Sequence, residues 1–232
     1  MIYACLDDTD NPDSRGTGQL SRTIAQNISG EFPIHCVTRH QLYKHPDIPY
    51  TTHNTCSVIQ IKDLGIERVN DIFEAVKTEM MDDFIEGSDP GLAVAHESQI
   101  TPAIVAFGQD AKRNILNQGM ARNLARNLGI RLEGLGGTED GVIGAVAGIG
   151  LAASGNDGRC LLIGDKQIKG SKTAEDLLRS GIDAIYSLEG VKITSGLIEN
   201  EEDKKLKPCP IGGKMVLFVE EEYGVMKVVN RG

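Results

Sequence analysis

The stretch YACLDDTDNPDSRGTGQLSRTIAQNIS, residues 3–29, decides how this chain is read. Ile2 to Asp8 has the length and apolar content of a short buried strand. Gln19 to Ser29 places Leu20, Ile24 and Ile28 at i, i+4 and i+8, the spacing of one helix face. Between them come Asp7, Asp8 and Asp10 and a loop broken by Gly16 and Gly18. At a strand end Asp8 and Asp10 share one side and Asp7 takes the other, until the turn re-aims it. Three carboxylates within about 10 Å of extended chain repel one another unless a cation, arginines or protonation compensates. Mg²⁺ accepts hard oxygen ligands, often one or two carboxylates plus substrate phosphates. A helix N-terminus beside them offers free N–H groups to an anion. Asp7, Asp8 and Asp10 are therefore candidate metal ligands and catalytic residues, and Gly16, Thr17 and Gly18 candidate phosphate contacts. The bland alternative is a turn whose acids only bend and cap the backbone. The haloacid-dehalogenase signature shares the Asp-x-Asp pair, but it continues with Thr or Val, where this chain has Asn11-Pro12.

Outward from this stretch, residues 33–43 read as extended, and KHPDIPYTTHNT (44–55) is a loop with two prolines. Residues 56–61 alternate with strand period. Residues 66–85 predict a helix with Val69, Ile72, Phe73, Val76 and Met80 on one face. GSDPG (87–91) ends it, and 92–95 begin another strand. The order β-α-β-β-α-β is that of the ferredoxin-like, split βαβ arrangement. Beyond it, residues 111–129 predict a helix, and 142–153 are apolar all round, hence buried. Gly141, Ala145 and Gly148 are spaced to admit a neighbouring backbone, and Thr138 is the expected cap. A strand is expected at 159–163, a helix at 173–179 and a strand pair, 214–220 with 225–229, around Tyr223-Gly224. IENEEDKKLKPCPIGG (198–213) reads as a solvated loop. The expected class is α+β, with a ferredoxin-like unit over 1–110 and a second α/β unit over 111–232.

Composition narrows the function classes. The 232 residues hold 33 acids against 24 Lys and Arg, a net charge of -9, which argues against a large nucleic-acid surface. Five cysteines are scattered with no CxxC pair, against a zinc ribbon or disulfide framework and for reduced thiols in a cytoplasmic protein. No apolar run reaches membrane-spanning length and no signal segment is expected. The histidines at 35, 40 and 45 form no evident ligand set. The run GLGGTEDGVIGA (134–145) fails as a Walker loop, since Val142 stands where Lys belongs, and as GxGxxG, since Glu139 replaces a glycine. Gly136, Gly137 and Asp140 remain candidate nucleotide contacts at a helix start, where Glu139 and Asp140 would oppose an anion unless a metal lay between.

Four segments together resemble the N-terminal half of the archaeal tRNA-isoleucine agmatinylcytidine synthetase family. They are DDTD with its glycine loop, HPDIPYTTHNTCSV (45–58), SDPGLAV (88–94) and GLGGTEDGVIGAVAGIG (134–150). The resemblance covers about two-thirds of the chain and is most specific at DDTD and Ile-Gly-Ala. It implies a kinase-like module beside a ferredoxin-like one, with Mg²⁺ and ATP as cofactors held by Asp7, Asp8 and Asp10. Arg39 would be the phosphate clamp, and Asp140 would complete the site. The family's paired threonines correspond here to Gly18-Gln19, flanked by Thr17 and Ser21. Its lysine and arginine after the Ile-Pro-aromatic stretch correspond to Thr51 and His53. Its OB-fold and zinc ribbon have no counterpart. The expected function is Mg-dependent binding of ATP or a phosphometabolite, linked to phosphoryl or nucleotide transfer. Nucleic acid is expected only through a partner subunit, and a homodimer is left open. The alternatives are a binding or assembly protein that retains the fold without chemistry, and a tRNA-modification subunit that needs a partner.

Overall fold

A computed structural model describes residues 1–230; the last two residues of the second expected unit lie outside it. The first elements are β1 (Ile2–Asp7), α1 (Thr17–Ile28), β2 (Ile34–Gln41), β3 (Thr55–Ile61), α2 (Val69–Asp82) and β4 (Gly91–His96). Then come α3 (Pro102–Asp110), α4 (Gln118–Leu128), β5 (Arg131–Gly134), α5 (Gly141–Ala153) and β6 (Arg159–Ile163). These six strands form one antiparallel sheet in the order β5-β4-β1-β3-β2-β6. Its inner four strands come from the β-α-β-β-α-β run. Both edge strands come from beyond residue 110, so this sheet continues past the boundary drawn there from sequence.

Strand period sorts the side chains. Ile2, Ala4 and Leu6 of β1 point to one face, where Leu20, Ile24 and Ile28 of α1 and Ile72, Phe73 and Val76 of α2 cover them. Cys5 points to the other, against α5, on which α3 and α4 pack in turn. A sheet covered on both faces explains why β1 reads as a near-continuous apolar run and why β3 is buried on both sides. α5 lies on the sheet through glycines. A Cβ at Gly148 would stand 2.3 Å from Cys5 Sγ, and one at Gly144 only 1.8 Å from Asp7 Oδ2. The sheet-facing stripe is thus Gly141, Gly144 and Gly148, with Gly144 in the place expected of Ala145.

Two local expectations are corrected. The helix expected over 111–129 is shorter: only α4, from Gln118 to Leu128, forms in that span, capped by the Asn117 side chain accepting from Met120 N at 3.0 Å, and a separate helix, α3, precedes it at Pro102–Asp110. Thr138 does not cap α5; its N–H donates to Asp89 Oδ1, and Asp140 is the N-cap residue without a side-chain capping bond.

The remaining chain forms β7 (Lys172–Thr173), α6 (Ala174–Arg179), β8 (Ala184–Ser187), β9 (Leu197–Glu199), β10 (Cys209–Ile211), β11 (Lys214–Glu222) and β12 (Val225–Val229). They build a second, mixed sheet in the order β10-β11-β12-β9-β7, with β8 parallel to β11. Its core includes Leu177, Ile185, Leu217 and Val219. The segment 198–213 is not one loop: β9 and β10 lie within it, because buried Ile198 and Pro210 each pair with a neighbour. The fold is α+β, with six α-helices among the described residues. No helix among them is long and apolar enough to cross a membrane.

Candidate functional site

β1 delivers the aspartates to the end of the sheet. Asp7 is its last residue and 8% exposed. Asp8 then adopts φ 53°, left-handed backbone that a non-glycine residue rarely takes. This turn re-aims the chain, so Asp7, Asp8 and Asp10 all line one cavity of about 470 Å³, together with Asp140 from the start of α5. The loop is held from below. Arg15 donates to the Thr9 carbonyl at 3.0 Å and pairs with Asp83 at the end of α2. Asp10 accepts from Thr17 Oγ1 and from Thr51 Oγ1, each at 3.1 Å.

Electrostatically the acids oppose one another. Burial, and then Asp8, hold the Asp7 carboxyl well above its ordinary range. Burial, with Asp89, Asp10 and Asp140, pushes Asp8 up to about 7. Asp89 is a member that sequence reasoning missed. Its N–H donates to the Asp8 carbonyl at 3.2 Å and its carbonyl accepts from Gly141 N at 3.0 Å, stitching the aspartate turn to α5. The Ser88-Asp89-Pro90-Gly91 run signalled a turn, and nothing local marked its carboxylate as a neighbour of Asp8. The far wall of the cavity is apolar, with Ile48, Tyr50, Ile115 and Ile143. Gln118, also missed, donates to Asp140 Oδ1 at 2.8 Å.

A second cavity of about 360 Å³ adjoins the first, on the face of the sheet that carries α1. The two share Asp10, Thr17, Thr51, His53 and Thr55 as a wall. Gly16, Gly18, Arg22 and Arg39 line the second. α1 starts at this wall with Gly16 as its N-cap, no side-chain cap and no acid in its first turn, so its leading N–H groups are open to an anion. Arg39 Nε donates to Thr55 Oγ1 at 3.0 Å. Gly136 and Gly137 line neither cavity. They pack under Phe84 and Asp89, where an added Cβ would stand 2.9 and 2.1 Å from those side chains. The turn they make delivers Asp140.

One compact trio of potential ligands lies elsewhere. Asp63, His96 and Glu97 have ligand atoms within 4.8 Å of one another, but their bonds are already committed. His96 Nδ1 accepts from Ser98 N, so Nε2 carries the proton it gives Asp63 at 2.9 Å, and Glu97 pairs with the Met1 amine at 2.8 Å.

No protein-family model matches the sequence, and no curated protein matches it significantly. Solved structures do. A tRNA fluorescent labelling enzyme superposes with a TM-score of 0.54 at 20% identity, over 64% of this chain and 35% of that one. The complex of TiaS with tRNA(Ile2) and ATP gives 0.55 at 20%, over 64% and 36%. Apo TiaS, a tRNAIle2 agmatidine synthetase, gives 0.53 at 18%, over 64% and 35%. The chain spans about a third of the length of those structures. At this identity the likeness is one of fold, and the resemblance read from DDTD and the glycine run is matched in three dimensions: the chain is structurally similar to TiaS over about two-thirds of its length.

Proposed function

We propose that this chain binds a magnesium–nucleotide complex, with ATP as the nucleotide, and supports phosphoryl or nucleotide transfer from it. The observation that carries this reading is the meeting of four carboxylates, Asp7, Asp8, Asp10 and Asp140, in one cavity with the uncapped start of α1 at its wall. Asp7, Asp8 and Asp10 would hold Mg²⁺, whose remaining ligands are phosphate oxygens and water. The ion would neutralise the terminal phosphates, which phosphoryl transfer requires more than any covalent step. Gly16, Thr17, Gly18 and Arg39 would receive the terminal phosphate at the shared wall, and Asp140 would close the metal side. The apolar wall with Tyr50 and Ile143 would accept the base. The likeness to a protein crystallised with tRNA and ATP supports the nucleotide part. With a net charge of -9, any nucleic-acid role would be exercised with a partner subunit.

Titration calorimetry with ATP and Mg²⁺ tests this. Binding of ATP that depends on Mg²⁺ and is lost in Asp8→Asn and Asp10→Asn is the expected result. No heat from the wild type, or affinity unchanged in both variants, overturns it. ADP release that scales with protein and disappears in Asp10→Asn separates a turning-over protein from one that only binds.

A further inference from the structure

Five cations from four segments converge on the second cavity and the seam beside it: Arg22 of α1, Arg39 of β2, Arg159 of β6, and Lys205 and Lys207 of the segment before β10. Arg39 and Arg159 are direct cross-strand partners in the β2–β6 register, a position in which like charges destabilise a sheet. Lys207 is brought alongside by the bond from Cys160 N to the Pro208 carbonyl at 2.7 Å. Gln167, with its amide oriented by its hydrogen bonds, accepts from Arg22 Nε at 2.9 Å and Lys205 Nζ at 3.3 Å, so a neutral oxygen is all that bridges this pair. All five are partly buried. None makes an ion pair with a carboxylate among the described residues, although the chain holds nine more acids than bases. Burial and their mutual repulsion lower the pKa values of Arg39 and Lys207, and Asp10 offsets only part of this at Arg39. Beneath the first turn of α1, the buried Ser57 Oγ has no hydrogen-bond partner, and it lies 3.8 Å from where a Cβ on Gly18 would stand.

Leaving five partly buried cations without counter-ions costs stability unless a ligand supplies the charge. We propose that the second cavity and this seam hold the phosphate group of a second substrate, a phosphorylated small molecule, between Arg22, Arg159 and Lys207. This deepens the nucleotide reading by naming the class of the acceptor. A donor and an acceptor in adjoining cavities meet at the Asp10–Thr17 wall, where in-line transfer would place the moving phosphoryl group. Concavity favours a small ligand over a polymer: Arg22 and Arg39 line a cavity of about 360 Å³ and the other three cations are partly buried beside it, rather than spread along an exposed face.

The test is titration with inorganic phosphate, alone and with Mg-ATP present at saturation, in the wild type, in Arg159→Ala/Lys207→Ala and in Asp8→Asn. The expected result is phosphate binding that persists beside Mg-ATP. The double variant should weaken it about ten-fold or more and leave Mg-ATP affinity unchanged, with Asp8→Asn, whose side chain lines only the first cavity, doing the reverse. The thermal midpoint of the double variant without phosphate should equal or exceed that of the wild type, since repulsion is relieved. Phosphate binding that the double variant does not weaken, or that Mg-ATP displaces fully, overturns the proposal. So does a decauridylate that binds more tightly than phosphate through the same residues, with a steep salt dependence. Failure of Mg-ATP to bind while phosphate behaves as described would remove the nucleotide reading and leave this site standing.

Discussion

At the residue scale the turn at Asp8 concentrates the cost of the site. A left-handed backbone and a carboxylate pressed by Asp89, Asp10 and Asp140 are both unfavourable in the metal-free protein. The sign of the pH effect comes from linkage. The folded protein holds the Asp8 proton up to about pH 7, whereas an unfolded chain releases it near pH 4. Between those values the native state binds more protons, so Asp8 lowers stability as pH rises through that window, and the loss levels off above it. Asp7, shifted in the same direction, adds to it. Asp8→Asn should therefore flatten the fall in thermal midpoint between about pH 5 and pH 8 in metal-free buffer, read by scanning calorimetry. A variant that follows the wild-type profile in parallel would show that Asp8 is ionised in the native state. The three aspartates and the glycine loop were legible in the sequence because they are contiguous. Asp89, Thr51 and Arg22 were not, because each reaches the site only through the tertiary fold.

At the element scale, α5 is the helix whose seat decides the depth of the aspartate pocket. Gly144 sits over Asp7 with no room for a methyl group, whereas the surface Gly30 has nothing within 4 Å of its Cβ position. Gly144→Ala should destabilise by ~1–3 kcal/mol, the usual range for overpacking a tight interface. Gly30→Ala should change stability by under ~0.5 kcal/mol, as surface substitutions do. Urea denaturation measures both, and equal effects would mean that α5 shifts freely on the sheet. The element order through β4 was readable from period alone, because α1 and α2 each bury a single stripe, β1 is nearly all apolar and β3 was read by strand period. β5 was not: its residues are partly exposed or exposed and carry no alternation. The break between α3 and α4 was hidden too, since residues 111–117 keep helix-compatible residue types. What sets the start of α4 at Gln118 is the Asn117 N-cap, and what starts α3 is Pro102 at its first turn.

At the scale of the whole molecule, one buried network ties the walls of the first cavity together. His40 on β2 is fully buried. Its ring bonds Thr38 Oγ1 at 2.8 Å and Asp157 Oδ1 at 2.9 Å. Asp157 stands in the loop between α5 and β6 and also receives Lys112, from the segment after α3. Burial works against the Asp157 charge, but the His40 and Lys112 hydrogen bonds outweigh it and keep its pKa below the ordinary carboxylate value. This carboxylate joins the three segments, and the residues after Lys112 form the apolar wall with Ile115 and Leu116. The spacing of His35, His40 and His45 gave no hint of this, because the partner lies 117 residues away. Asp157→Ala strands a buried imidazole and should cost ~1–3 kcal/mol by urea denaturation. Asp157→Asn keeps an acceptor for His40 but loses the charge facing Lys112, and should cost less. If the network also sets the wall, Asp157→Ala should weaken Mg-ATP binding while Lys112→Met, which removes the ammonium and keeps most of the apolar stem, weakens it less. Equal binding by all three variants would confine the network to stability and leave the position of the wall to the packing of α3 on α5.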